Sequence, residues 1–275
     1  LQNADSIIAG CCKFIKNKAV KTETYIPCQA LQPYIECFRV VESENGCINR
    51  ILPGIAAVIA LRLKGRVSYM AGQVAELLPF YSISGLRKTP RLIQYEPGAL
   101  NLLIQFRPAA LAAFIKTPVH VLFNESIALD PVFKQDRIAW LEDQLYVNLD
   151  IFTCISATEK FLLDHLHATQ DELVLKAIVH IQREKGMISI KELADTLYIS
   201  HDALEKRFRK AAGTSPKQFA SLTRLNAVIQ QPAAKQDFTD MALRAGFYDQ
   251  AHFNSAFKQF TGLTPRAYFN APRLW

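Results

Sequence analysis

The chain has 275 residues, long enough for about two domains, each with a core of its own. Half of the residues are hydrophobic and 21% are charged, which excludes disorder and fibrous folds, and the longest unbroken apolar run, residues 55–61, is far too short to span a membrane. The net charge of +7 is uneven: residues 171–275 carry 15 Lys/Arg against 10 Asp/Glu, and residues 1–170 carry 17 against 15, so the basic excess sits in the last two fifths and favours an anionic partner, nucleic acid first.

Near the start, Ile8-Ala9-Gly10-Cys11 superficially matches a lipoprotein cleavage box, but the segment before it contains Asp5 and is too short for a basic stretch plus an apolar one. The six cysteines (11, 12, 28, 37, 47 and 154) include no CxxC pair, as expected for reduced thiols in a cytoplasmic protein. From about residue 37 to 106, short apolar or alternating runs recur at 37–41, 56–63, 67–71, 80–84, 91–95 and 100–106, separated by turn residues such as Glu44-Asn45-Gly46, Pro53-Gly54, Lys64-Gly65 and Glu96-Pro97-Gly98. This spacing predicts an antiparallel sandwich or small barrel over residues 1–130. After Pro108, residues 109–114 read as helical. Ile138, Leu141 and Leu145, then Ile151, Ile155, Leu162 and Leu166, place one apolar face on each of two helices in a connector over residues 131–170. Such a pair either covers the barrel or joins two subunits.

Residues 171–275 contain an internal repeat. Glu192-Leu193-Ala194-Asp195-Thr196-Leu197-Tyr198-Ile199-Ser200 parallels Asp240-Met241-Ala242-Leu243-Arg244-Ala245-Gly246-Phe247-Tyr248-Asp249. Each is followed by a second helix, residues 203–209 and 252–258, and then by matching punctuation, Gly213-Thr214-Ser215-Pro216 and Gly262-Leu263-Thr264-Pro265. Ser189 with Glu192 reads as a capping box, and Ser200, Asp237 and Asp249 read as N-caps. Gly213 and Gly262 suit left-handed helix stops, and Ser215-Pro216 and Thr264-Pro265 suit capped restarts. The unit is helix, tight turn, helix, present twice at about 190–211 and 238–261: a doubled helix-turn-helix. Pro232 predicts that the helix joining the units ends near Gln231.

Within each second helix, Leu204, Phe208 and Ala211, or Phe253, Phe257 and Phe260, face inward. The opposite faces carry Asp202, Glu205 and Lys206, and Gln250, Ala251, Asn254 and Ser255, which are the candidate readers of base edges in a major groove. Arg207, Arg209, Lys210 and Lys258, with the helix-start residues Ser200 and Asp249, are the candidate phosphate contacts.

These residues, with Arg224-Leu225, Gly246-Phe247 and Tyr268, resemble the AraC/XylS family of bacterial transcription regulators over about residues 173–270. The resemblance implies an α+β chain of two domains: an N-terminal cupin-like antiparallel barrel that binds a small effector or mediates dimerisation, and an all-α DNA-binding domain, with the helical connector between them as a possible dimerisation element. Two departures bear on DNA contact: Ser255 stands where the family usually has Arg, and Lys206, flanked by Asp202 and Glu205, stands where Arg is common. Less specifically, Arg50-Ile51-Leu52-Pro53-Gly54 and Gln105-Phe106-Arg107-Pro108-Ala109 look like recurring segments of one subgroup of sensing domains. The expected function is a cytoplasmic, sequence-specific transcription regulator modulated by a small effector, its sign, activator or repressor, being left open by these residues. Its partners would be promoter DNA, RNA polymerase, the effector and a second copy of the chain, with no membrane, cofactor or metal.

No effector is identified by these residues. Arg39, Arg62, Arg91 and Arg107 are candidates to meet an anionic one, although a solvated strand position or a structural ion pair is the favoured reading of each. An enzyme is the weaker alternative. The barrel region has His120 as its only histidine and so lacks the ligands of a catalytic metal cupin, and His165 and His167 lie two apart on a predicted helix. An Ada-type DNA-repair protein would need a four-thiolate zinc site, which Cys11, Cys12, Cys28, Cys37 and Cys47 do not form by spacing. The non-enzymatic rival is a ligand-independent regulator whose barrel only dimerises or binds a protein. A cavity of roughly 300 Å³ with convergent polar groups separates the two.

Overall fold

The computed structural model describes residues 20–147, 150–167, 170–231 and 238–270. The lipoprotein-like box, Cys11, Cys12 and the expected cap at Asp237 lie outside the described residues.

The N-terminal half is built from strands β1 (Lys21–Tyr25), β2 (Ile35–Ser43), β3 (Cys47–Ile51), β4 (Val58–Lys64), β5 (Val67–Ala71), β6 (Val74–Leu77), β7 (Tyr81–Ser84), β8 (Arg91–Tyr95), β9 (Ala99–Phe106) and β10 (Ser126–Ala128). They form two antiparallel sheets, of order β1-β2-β9-β4-β7-β10 and β3-β8-β5-β6, so the expected barrel takes the form of two facing sheets. The two-residue period of a strand divides each central strand between two environments. On β4, Ile59, Leu61 and Leu63 point into the main apolar core, whereas Val58, Ala60 and Arg62 point between the sheets. On β9, Leu102, Ile104 and Phe106 take the first side, and Asn101, Leu103 and Gln105 the second. Residues 109–114 form a 3₁₀ turn, Ala110–Ala113, rather than an α-helix.

The connector consists of α1 (Gln135–Val147) and α2 (Ile151–His165). Ile138, Leu141, Leu145, Ile155 and Leu162 all join the main core beneath the six-stranded sheet, so the pair covers the sheet.

The C-terminal half contains α3 (Glu172–Arg183), α4 (Ile190–Thr196), α5 (His201–Ala212), α6 (Pro216–Ile229), α7 (Phe238–Arg244), α8 (Gln250–Thr261) and α9 (Pro265–Asn270). Leu204, Phe208, Phe253, Phe257 and Phe260 are buried in one core with Phe219, Leu222 and Leu225 of α6, the helix that joins the two units. That helix ends at Ile229, just ahead of Pro232 as its chemistry requires. Arg224 holds the arrangement together. Its guanidinium donates to the carbonyl of Gly186 at 2.8 Å and of Gly246 at 3.2 Å and lies over the Phe247 ring, tying the loop after α3 to the turn of the second unit. Among the described residues, no helix is long and apolar enough to cross a membrane.

The two halves share contacts. Ile55 and Leu86 of the sandwich are buried in the helical core. The Asn226 side-chain amide donates to the Pro53 carbonyl at 3.2 Å, and the Arg50 guanidinium donates to the Thr261 carbonyl at 3.1 Å.

Candidate nucleic-acid interface and inter-sheet cavity

Each reading helix is started and stopped by the residues that the sequence nominates. Ser200 accepts from the Ala203 amide at 3.3 Å, and Asp249 accepts from the His252 amide at 2.7 Å, so both side chains are engaged as caps. Ser189 occupies the cap position of α4 but accepts no amide, so the expected capping box is not formed. α5 stops at Gly213 and α8 at Gly262, both with φ 80°, the left-handed conformation in which glycine avoids a Cβ clash. A Cβ at Gly213 would press on Val119, and one at Gly262 on Arg50 and Pro90, so both reading helices abut the sandwich at their C-terminal ends.

The reading faces are mostly open. Asp202, Lys206, Gln250, Ala251, Ser255 and Lys258 are exposed, with Glu205 and Asn254 half-buried. Three cations expected at phosphates differ in availability. Lys210 is exposed. Arg209 lies along α5 against Glu205, Nη2 to Oε1 at 2.8 Å. Arg207 makes a two-pronged pair with Asp171, at 2.9 and 2.8 Å, and Asp171 also caps α3 through the amides of Leu173 and Val174. Burial by itself would raise the Asp171 pKa, but the Arg207 hydrogen bonds and the capped amides outweigh it and hold the carboxyl below its ordinary value.

Two aromatic residues at the turns carry no periodic signal in the sequence. Tyr198 is 97% exposed and Tyr248 90% exposed, each just ahead of a reading helix. Tyr198 also takes φ 53° at the turn position that Gly246, φ 70°, fills in the second unit. A side chain in that conformation costs about 1–2 kcal/mol.

The facing sheets enclose a cavity of about 140 Å³. That is below the ~300 Å³ at which small-molecule sites usually begin, so the space suits only a small ligand. Its floor runs in three rungs across the six-stranded sheet. Val58 sits beside Gln105 and Ser84, with Ser126 next to Ser84; Ala60 sits between Leu103 and Ser82; Arg62 sits beside Asn101. The side chains in the middle rung, Ala60 and Ser82, are small and leave the space open. At one end, the Arg87 and Arg91 guanidiniums both donate to Ser126 Oγ, at 2.9 and 2.6 Å, and Ser126 also meets Ser84 Oγ. At the other end Arg62, 4% exposed, lies 3.9 Å over the Phe80 ring. Of the other candidate arginines, Arg107 pairs with Glu36 at 2.7 Å, the structural role favoured for it. Arg87, in the loop after β7, gives no sequence signal at all.

Two facing sheets around a cavity, joined to a doubled helix-turn-helix with open second helices, define the class: a two-part protein with a helix-turn-helix half of the DNA-binding type. Residues 193–271 match the family described as a helix-turn-helix domain, and residues 23–128 match a domain of unknown function (DUF6597). An uncharacterised HTH-type transcriptional regulator of Haemophilus influenzae is 28% identical over 157 residues, which is 55% of this chain and 52% of that protein. An uncharacterised HTH-type regulator of Staphylococcus aureus is 33% identical over 30% of this chain and 11% of its own length. The match therefore spans about half the length, or less, of these relatives. Among solved structures, an AraC-type DNA-binding domain protein of Chromobacterium violaceum is 24% identical over 37% of this chain and 95% of its own, with TM-score 0.34. ToxT of Vibrio cholerae is 10% identical over 91% of this chain and 98% of its own, with TM-score 0.45. The C-terminal part of the chain, residues 193–271, is thus similar to the helix-turn-helix domains of transcriptional regulators.

Proposed function

We propose that this chain is a non-enzymatic, cytoplasmic, sequence-specific transcription regulator whose DNA affinity responds to a small effector bound between its sheets. The proposed division is a sensing domain over residues 1–130, a connector over 131–170 and a DNA-binding domain over 171–275. Lys206 and Asn254 would read base edges, in successive major grooves about 34 Å apart, and Lys258 and Lys210 would meet phosphates. The observation that carries the reading is the pair of open helix faces on one doubled unit.

Selection of the full chain against a random duplex library tests it. The expected result is two boxes about 10 base pairs apart. Lys206→Ala or Asn254→Ala should change the selected bases, whereas Lys258→Ala should weaken all sequences alike and flatten the salt dependence by about 0.9 in log–log slope. Salt-sensitive binding without a motif would sink the assignment. The rival reading, a ligand-independent regulator, is disfavoured by the polar groups that converge on the cavity, not by its volume.

A further inference from the structure

The space between the sheets is unusually polar for a sandwich interior, and the polarity has one sign. Arg62, Ser82, Asn101 and Gln105 are each at most 5% exposed, and all four face the cavity. Buried polar groups are normally paired, since leaving a donor unmade forfeits about 1–3 kcal/mol. Here Arg62 Nε, Arg91 Nε, Asn101 Nδ2 and Gln105 Nε2 have no hydrogen-bond partner, and all four are donors. The Gln105 assignment is fixed from behind, because the Cys37 thiol donates to its Oε1 at 3.1 Å, which leaves the amide nitrogen to the cavity.

Three arginines line the space and no carboxylate does. None of the three forms an ion pair among the described residues; Arg87 and Arg91 share a single serine oxygen, although two cations so placed repel one another. Burial, and after it the charge of Arg91, pushes the Arg87 guanidinium down to about 10, and burial lowers Arg91 as well. Glu125 and Glu76 act on these arginines only from outside the lining. The site is built for acceptors that the chain itself does not provide.

The floor gives the spacing. Val58, beside the Arg87 and Arg91 end, and Arg62 are four residues apart on β4, which is about 13 Å along a strand, and the long arginine side chains reach into that interval. Between them the walls are apolar: Leu103, Ile93 and Ala60.

From this arrangement we infer that the cavity binds a small organic carboxylate lying along β4. Its carboxylate is held by the paired guanidiniums of Arg87 and Arg91, a short apolar body lies over Ala60, and a second oxygen acceptor meets Arg62 and Asn101. The inference rests on the effector reading above and adds the chemical class. Guanidinium suits this role because its fork matches a carboxylate in two-pronged geometry.

Thermal shift and calorimetry on the full chain, with adipate, hexanoate and the neutral hexanamide, test it. Adipate should bind tightest, hexanoate about tenfold more weakly, and hexanamide not measurably. Arg87→Met and Arg91→Met should each weaken adipate at least tenfold while leaving the free protein about as stable, because each removes a half-buried cation that has no ion-pair partner among the described residues; that stability is the check that the variants fold. Ala60→Leu should block adipate and hexanoate by filling the middle rung. If hexanamide binds as well as the acids and the arginine variants bind normally, the carboxylate class is overturned and an effector of another chemistry survives. If adipate and hexanoate bind equally, the second acceptor site is overturned. If no probe binds any variant or the parent chain, the inference fails outright, and DNA selection with and without a cell extract then decides separately whether an effector acts at all.

Discussion

Glu205 and Arg209 show how a single residue would set the strength of the proposed reading surface. Their ion pair, 2.8 Å along α5, neutralises a cation at the place where a phosphate would want it and leaves a carboxylate half-buried on the same face. Two unit charges 4 Å apart in water interact by about 1 kcal/mol, so removing the acid both frees Arg209 and relieves repulsion. Glu205→Ala is therefore expected to raise DNA affinity about fivefold at low salt and to steepen the salt dependence by about 0.9 in log–log slope, measured by titration with duplex DNA. Unchanged affinity and slope would mean that α5 does not approach the backbone at this position. The residue scale is also where the sequence was least legible. Lys206 and Asn254 follow from helical spacing, but Arg62 and Arg91 look like any solvated strand arginine, since nothing local records that the facing wall has no acid. Arg87 lies in a loop and becomes visible only once β10 brings Ser126 beside it.

At the scale of elements, the strands that the sequence announces are the six interior ones, and the four it does not, β1, β3, β6 and β10, are the four sheet edges. The reason is physical. An interior strand buries at least one face and so alternates, whereas β1 and β6 are exposed along nearly their whole length and carry no pattern to read. The helices of the doubled unit are legible where their caps are local chemistry, as at Ser200, Ser215 and Asp249, but the docking of α3 on α5 is not, as it involves long-range apolar packing and the pair of Asp171 and Arg207. Since the folded state holds the Asp171 pKa below its unfolded value, the contribution of that pair is complete above about pH 4 and is lost as pH falls further. Asp171→Asn keeps a capping acceptor and removes the charge. The variant should lose that acid dependence in an unfolding titration and, with Arg207 released, show one more phosphate contact in the salt dependence of DNA binding. Retention of the parent's acid dependence would assign it to another carboxyl.

For the whole molecule, the segment that closes the cavity is also the segment that touches the DNA-binding half. Ile51, Leu52, Pro53 and Gly54 line the cavity, while Arg50 and Pro53 bond to α8 and α6. Coupling needs differential contacts in two states, and this stretch is placed to supply them. Arg50→Met should leave adipate binding in place but bring the ratio of DNA affinities with and without adipate toward one; a ratio equal to that of the parent chain would remove Arg50 from the route.

The glycine stops of α5 and α8 also make each reading helix a lever. Both abut the sandwich at the C-terminal end, and each has 12 residues, so the first turn stands about 18 Å from that contact. A tilt of only about 5° at the glycine then carries the first turn sideways by about 1.6 Å, several times the ~0.5 Å within which a binding geometry must be held. The amplification lies in the length of the helix rather than in the size of any rearrangement around the cavity. A shift too small to alter the sandwich itself is enough to move the two helix tips out of step with each other.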